Sequence, residues 1–240
     1  MLNFGIIGNP LRHSFSAKFF NKKFENEHID AHYQLYSLES IEQFPALCRE
    51  HSFTGLNVTL PYKETVIPYL DKLDDTAEQI GAVNVIHFSN NCLIGYNTDT
   101  LGFMHSISPL LQPHHTHALV LGTGGAAKAV HYGLMRLGVE CQYVSRDSRK
   151  GITYEQLNKD IVNSHLVVVN CTPLGMYPET EACAPFPYQY LTTQHLAYDV
   201  IYNPEQTLFL KKAAAQGATT CNGIGMLQGQ ARAAWEIWNA

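Results

Sequence analysis

Gly122-Thr123-Gly124-Gly125-Ala126-Ala127 lies between the apolar run Ala118 to Leu121 and a helical pattern from Ala126 to Leu137, and satisfies Gly-x-Gly-x-x-Gly/Ala at a strand-to-helix turn. Each residue type has a task there. Gly122 permits the tight turn, Gly124 lets the backbone approach a pyrophosphate, and the first amides of the helix are unsatisfied donors at a positive dipole end. Gly122, Thr123, Gly124, Gly125 and Ala126 are therefore candidate contacts to a dinucleotide. Downstream, the pattern predicts a strand at Cys141 to Val144, a helix at Tyr154 to Ile161 and strands at Leu166 to Val169 and Ala197 to Ile201. A helix from Pro204 to Gln216, with proline at its start, and a short strand at Thr219 to Cys221 follow. This alternation implies a parallel, doubly wound Rossmann-type sheet with helices on both faces.

The end of the second strand decides between dinucleotides. A carboxylate about 20 residues after the glycine loop would bond ribose hydroxyls, whereas Ser145 and Arg146 stand at that place, with Arg149 and Lys150 close behind. Arg146, helped by Arg149 or Lys150, can hold a 2′-phosphate by charge-assisted bonds, which favours NADP over NAD. Asp147 between them works against this reading.

Upstream of the loop, Gln112 to Thr116 is a polar break, taken as the domain boundary. The segment before it is a second α/β unit. Strands are expected at Phe4 to Ile7, Tyr33 to Leu35 and Gly55 to Leu60, and helices at Ser16 to Phe24, Ile41 to Arg49 and Tyr62 to Leu70, the last kinked by Pro68. Ala82 to His87 and Cys92 to Tyr96 read as an antiparallel hairpin about Ser89-Asn90-Asn91. Thr98 or Asp99 caps a helix running to about Leu111, and Met226 to Trp238 reads as a terminal amphipathic helix.

Composition narrows the function. Of 240 residues, 45% are hydrophobic and 15% charged, which suits a globular chain, and the formal net charge of −5, with scattered cations, gives no attraction for nucleic acid. No apolar run spans a bilayer and no leader pattern precedes Phe4, so a cytoplasmic protein without a membrane partner is expected. Six dispersed cysteines without a Cys-x-x-Cys pair read as reduced, buried thiols. His114, His115 and His117 lack a further ligand to complete a metal site and read as a solvated loop.

The remaining chemistry lies in neutral hydrogen bonders before residue 100. Asn57 and Thr59 share one face of a strand with Lys63 beyond its carboxyl end, Asn84 opens the hairpin, Asp99 follows it, and Ser14 and Ser16 lie two apart near the start. Each has an ordinary explanation as a cap, turn former or surface residue. Together they form the polar row that a dinucleotide domain's substrate requires.

The series Ser14-Phe15-Ser16, Asn57-Val58-Thr59-Leu60-Pro61-Tyr62-Lys63, Gly81-Ala82-Val83-Asn84, Gly95-Tyr96-Asn97-Thr98-Asp99, Gly122 to Ala126, Asn170-Cys171-Thr172-Pro173-Leu174-Gly175-Met176 and Gly225-Met226-Leu227-Gln228-Gly229-Gln230-Ala231 resembles the shikimate dehydrogenases in order and spacing, over nearly the whole chain. Ala17 and Phe20 depart from that pattern, where proline and histidine are common. The resemblance implies a substrate domain at 1–111 including a linker helix, an NADP domain at 112–224, and a helix at 225–240 packing back on the first, with the active site in the cleft between domains. It implies NADPH-dependent reduction of 3-dehydroshikimate to shikimate, with Lys63 and Asp99 catalytic and no metal. Ser14 and Ser16 would bind the substrate carboxylate, and Asn57, Thr59, Asn84, Asp99 and Gln230 its hydroxyls or nearby polar atoms, with Tyr202 close by. The Asn170 to Gly175 loop, with Thr172 in it, and Gly225 and Met226 would line the nicotinamide and ribose. A quinate/shikimate dehydrogenase using NAD, or a nucleotide-sensing regulator without turnover, would carry similar motifs. Monomer and homodimer are both compatible with the sequence.

Overall fold

In the computed structural model, which describes residues 1–11 and 14–240, the chain forms two sheets in two compact units, Met1–Thr98 with Ala231–Ala240, and Asp99–Gln230.

The first unit contains β1 (Leu2–Gly8), α1 (Phe15–Asn26), β2 (Ala31–Ser37), α2 (Phe44–Glu50), β3 (Gly55–Val58), β4 (Lys72–Leu73), α3 (Asp75–Ile80), β5 (Val85–Ser89) and β6 (Cys92–Tyr96). Its sheet runs β2-β1-β3-β5-β6-β4, parallel through β2, β1 and β3 and antiparallel at β3–β5 and β5–β6. Period-two alternation sends Phe4, Ile6 and Val85 to one face, against Phe20, Phe24 and Trp238, and Ile7, Leu56, Val58 and Ile86 to the other, against Phe44, Val66 and Ala77. Trp238 closes the first face and donates its indole N–H to Ile86 O at 3.0 Å. The expected hairpin forms because Asn90 and Asn91 both take positive φ, 51° and 60°, the conformation of a two-residue type I′ turn.

The second unit contains α4 (Asp99–Ile107), β7 (His117–Leu121), α5 (Gly125–Arg136), β8 (Glu140–Val144), α6 (Lys159–Ser164), β9 (Val167–Asn170), β10 (Leu196–Asp199), α7 (Leu208–Ala215), β11 (Thr219–Cys221) and most of the first half of α8 (Ile224–Trp238), which continues into the first unit after Gln230. All neighbouring strands in the order β11-β10-β9-β7-β8 are parallel, as expected of the doubly wound sheet. Ala118, Val120, Val167, Val169, Leu196 and Tyr198 face one core, and Leu119, Leu121, Val168 and Ala197 the other, all fully buried, so both faces are covered.

The compact units divide at Thr98, ahead of the polar break at 112–116. The helix expected to link the domains belongs by packing to the second unit: α4 lies on α5, with the Thr100 hydroxyl donating to Ala129 O at 3.0 Å, and Gly102 meets α8 so closely that a Cβ there would sit 2.7 Å from Gln230 N.

Several expected elements differ. Tyr62 to Leu70 is a set of turns ending in a 3₁₀ turn at Ile67–Tyr69, because Pro68 denies a helix interior its donor. Ile41 to Arg49 begins as a 3₁₀ turn before α2. Tyr154 to Ile161 is split: Asn158 caps α6 by accepting from Ile161 N at 3.0 Å, which leaves 154–156 as a 3₁₀ turn. The helix placed at Pro204 starts at Leu208, where Thr207 supplies the cap by accepting from Leu210 N. His115 is 7% exposed, not solvated, with Nδ1 accepting from Gln112 N at 2.9 Å and Nε2 bonded to Gln194 O at 3.0 Å. The six cysteines are free and half-buried rather than buried. Among the described residues, no helix is long and apolar enough to cross a membrane and no group of three His, Cys, Asp or Glu could hold a metal ion.

Candidate functional site

In a doubly wound sheet a ligand crevice opens at the carboxyl ends of the strands where the strand order reverses. Here the chain moves from β7 to β8 on one side and then to β9 on the other, so the reversal lies between β7 and β9. The loops leaving these two strands meet there. Gly122 N donates to Val144 O and Cys171 N to Leu121 O, both at 2.9 Å, and a Cβ on Gly122 would stand 3.4 Å from the Cys171 carbonyl. Gly122 has φ +106°, which a side chain would resist. Gly124 is the N-cap of α5, with no side-chain cap bond, and a Cβ there would meet nothing within 4 Å. Thr123 and Ala126 flank the turn half-buried, and Gly125 starts the helix, buried. Uncapped amides beneath open space fit a pyrophosphate.

The turn after β8 is organised by Ser145 and Asp147. Ser145, 8% exposed, accepts from Asp147 N at 3.1 Å, and Asp147 holds Arg149 through Oδ1 at 2.9 Å and Oδ2 at 2.8 Å. The Arg149 guanidinium keeps the Asp147 carboxyl below its ordinary pKa. Asp147 is thus neutralised within its own turn, and the exposed Arg146 and Lys150 present the net charge. Arg149 can serve an incoming anion only by sharing or leaving Asp147. Thr172 follows β9, and its N–H and hydroxyl both donate to Asn170 Oδ1, at 3.1 and 2.7 Å. Gly225 lies in the first turn of α8, half-buried. Met226 is 7% exposed and packs in the core with Phe103 and Tyr198, and Gln230 is also 7% exposed.

In the first unit, the carboxyl ends of β1 and β3 and the amino end of the antiparallel β5 gather the polar row. Asn57, 4% exposed, accepts from the Tyr33 hydroxyl at 2.6 Å and donates to Asn84 O at 3.2 Å. Tyr33 also hydrogen-bonds with Ser16, which is buried, so one hydroxyl joins two candidate substrate residues; burial holds this phenol well above its ordinary pKa. Asn84 accepts from Thr98 N at 2.8 Å and donates to Thr98 Oγ1 at 3.0 Å. Thr59 N bonds Ile7 O at 2.9 Å, and the Lys63 carbonyl takes the Val83 N–H at 2.7 Å, fixing the backbone of the half-buried Lys63 beside Asn84. Ser14 caps α1, accepting from Ala17 N at 3.3 Å. Asp99, 5% exposed, is the first residue of α4 in the second unit, and Tyr202 lies 39% exposed beyond β10. Sequence reasoning gave no site role to Tyr33 or Asp199, and read Thr98 only as a helix cap and Asn170 only as the start of a cofactor-lining loop. A carboxylate closing the apolar strand Leu196 to Asp199 was the available signal for Asp199.

Comparison with known proteins gives a consistent result. Residues 6–86 match the family model described as the shikimate dehydrogenase substrate binding domain. A shikimate dehydrogenase (NADP(+)) of Methanosphaera stadtmanae is 34% identical over 98% of this chain and 90% of its own length. The crystal structure of shikimate dehydrogenase from Aquifex aeolicus superposes with a TM-score of 0.89 at 33% identity, over 100% of this chain and 92% of that one. The shikimate 5-dehydrogenase of Thermus thermophilus, in complex with NADP(H) and shikimate, gives a TM-score of 0.88 at 30% identity, over 99% and 93%.

Proposed function

The chain belongs to the shikimate dehydrogenase family, and from that premise we propose that it catalyses the reversible NADPH-dependent reduction of 3-dehydroshikimate to shikimate. The observation that carries the reading is the buried polar row of Ser16, Asn57 and Asn84, tied together by Tyr33 and Thr98, in a chain that also carries an uncapped glycine turn. Neutral amides and hydroxyls at fixed positions suit a polyhydroxylated ring better than an apolar or multiply charged substrate.

When bound, NADPH supplies the hydride. Gly122, Thr123, Gly124, Gly125 and Ala126 would hold its pyrophosphate, Arg146 with Ser145 the 2′-phosphate, and Thr172, Gly225 and Met226 the nicotinamide side. The Lys63 ammonium stabilises the alkoxide that develops on the reduced carbon and supplies its proton. Asp99 holds the adjacent substrate hydroxyl. Ser14 and Ser16 take the substrate carboxylate, while Asn57, Thr59, Asn84 and Gln230 hold hydroxyls, with Tyr202 alongside. Positioned acid–base groups of this kind contribute about 10²–10⁴-fold. A cytoplasmic setting is part of the proposal, supported by six unpaired thiols.

The test is a steady-state assay with shikimate or quinate, each with NADP⁺ or NAD⁺, followed by nicotinamide absorbance. Preference for shikimate with NADP⁺, reduced toward NAD⁺ in Arg146→Ala, is expected. Preference for quinate or NAD⁺ would reassign the substrate or cofactor, and no turnover with any pair would overturn the enzymatic reading.

A further inference from the structure

Asp199 is a carboxylate at the carboxyl end of β10, 0% exposed, for which the proposed chemistry has no use. Among the described residues its hydrogen-bond partners are neutral donors. Oδ1 accepts from Asn170 Nδ2 and from Ile201 N, each at 3.0 Å, and Oδ2 accepts from the Thr207 hydroxyl at 2.6 Å. Burial raises its pKa to about 6, with the three hydrogen bonds acting in the opposite direction, and in this geometry both oxygens accept, as those of a carboxylate do.

The consequence lies in what each partner does next. Asn170 stands opposite Asp199 in the β9–β10 register. Because a carboxylate can only accept, the Asn170 amide must turn its NH₂ toward Asp199, which fixes Oδ1 on the other side. That oxygen receives both the N–H and the hydroxyl of Thr172, at 3.1 and 2.7 Å. Asn170 is itself 0% exposed, so it reaches a ligand only through Thr172. On the other branch, the Ile201 amide sets the path of the chain into Tyr202, and Thr207 caps α7 by accepting from Leu210 N at 3.3 Å.

We propose that Asp199 is a positioning residue that holds two ligand-facing segments at once, the Thr172 loop through Asn170 and the Tyr202 segment through the Ile201 amide. This rests on the reading that Thr172 meets the cofactor and Tyr202 the substrate. A buried unpaired carboxylate is costly to keep, and an apolar residue would serve packing alone. What an apolar residue could not do is dictate which end of the Asn170 amide faces Thr172.

The experiment compares Asp199→Ala, Asn170→Ala, the double variant and Thr172→Val in the full chain. NADPH affinity is read by fluorescence titration, shikimate KM by steady-state kinetics, and folding by urea denaturation. Asn170→Ala is expected to raise the NADPH Kd about tenfold with shikimate KM nearly unchanged, whereas Asp199→Ala raises both. The double variant should bind NADPH no more weakly than Asp199→Ala, because the two residues act in series. Loss of folding stability with unchanged NADPH Kd in Asn170→Ala, or additive effects on Kd, would overturn the proposal. If Asp199→Ala does not fold, Asn170→Ala decides alone. Unchanged Kd in Thr172→Val would instead sink the assignment of that loop to the cofactor.

Discussion

Replacing Tyr33 by phenylalanine removes one oxygen and little else. The ring keeps its stack on Phe20, with centroids 5.0 Å apart, and its place beside Trp238. The lost hydroxyl is the donor to Asn57 Oδ1 at 2.6 Å and a partner of Ser16. Since Asn57 is only 4% exposed, water does not readily replace that donor, and an orphaned buried acceptor costs about 1–3 kcal/mol. At roughly 2–4 °C per kcal/mol for a chain of this size, Tm falls by about 2–12 °C. Function should respond differently from stability. With Asn57 and Ser16 no longer locked, shikimate KM rises about tenfold, equivalent to about 1.4 kcal/mol, while kcat and NADPH affinity stay nearly constant. Differential scanning fluorimetry and steady-state kinetics on the same preparation measure both. Unchanged Tm with unchanged KM would refute the reasoning, and a lower Tm with unchanged KM would confine the network to folding and remove Asn57 from the substrate site.

Lys63→Ala should lower kcat by about 10²–10⁴-fold with shikimate KM within a few-fold; retained turnover would remove Lys63 from catalysis. Trp238→Ala empties a pocket among Phe4, Phe20 and Tyr33 and orphans the Ile86 carbonyl, costing about 3–5 kcal/mol in urea denaturation, and a loss under about 1 kcal/mol would contradict the packing described. Burial keeps the imidazoles of His115 and His195 below their ordinary pKa, and each accepts a backbone N–H at Nδ1. The unfolded chain therefore takes up protons first, so their contribution is complete above about pH 6.5 and is lost as pH falls below it. Urea midpoints at pH 7.5 and 5.5 should show that loss, reduced in His195→Gln; equal reduction in both proteins would remove His195 as a cause.

What could be read from the sequence was what local rules decide. The Gly122 turn, the Asn90-Asn91 hairpin and the buried strands of the parallel sheet follow from conformational preference and periodicity. The short helix α3 was also signalled, by Asp74 accepting from Thr76 and Ala77 amides and by Gly81 at φ +68°, but its six polar-rich residues carry too little periodicity to stand out. Tyr33 and Asp199 were not legible because their roles depend on register between strands distant in sequence. Phe4 pairs with both Tyr33 and Gly55, which brings the phenol across β1 toward Asn57, and Asn170 faces Asp199 only once β9 and β10 align. The candidate substrate residues were recognisable as motifs, whereas the groups that hold them in place belong to no local pattern.

The first unit takes its closing piece from residues 231–240, and this orders events on the ribosome. Translation of Asp99–Gln230 takes on the order of ten seconds at about 5–20 residues per second, and throughout that time the nascent first unit displays the uncovered aromatic face of Phe4, Phe20 and Phe24. The second unit has all its strands before Trp235 and Trp238 emerge. A chain interrupted within α8 therefore carries a completed nucleotide-type sheet beside a sticky, unfinished partner. Arrival of the two tryptophans covers that face and completes the first core.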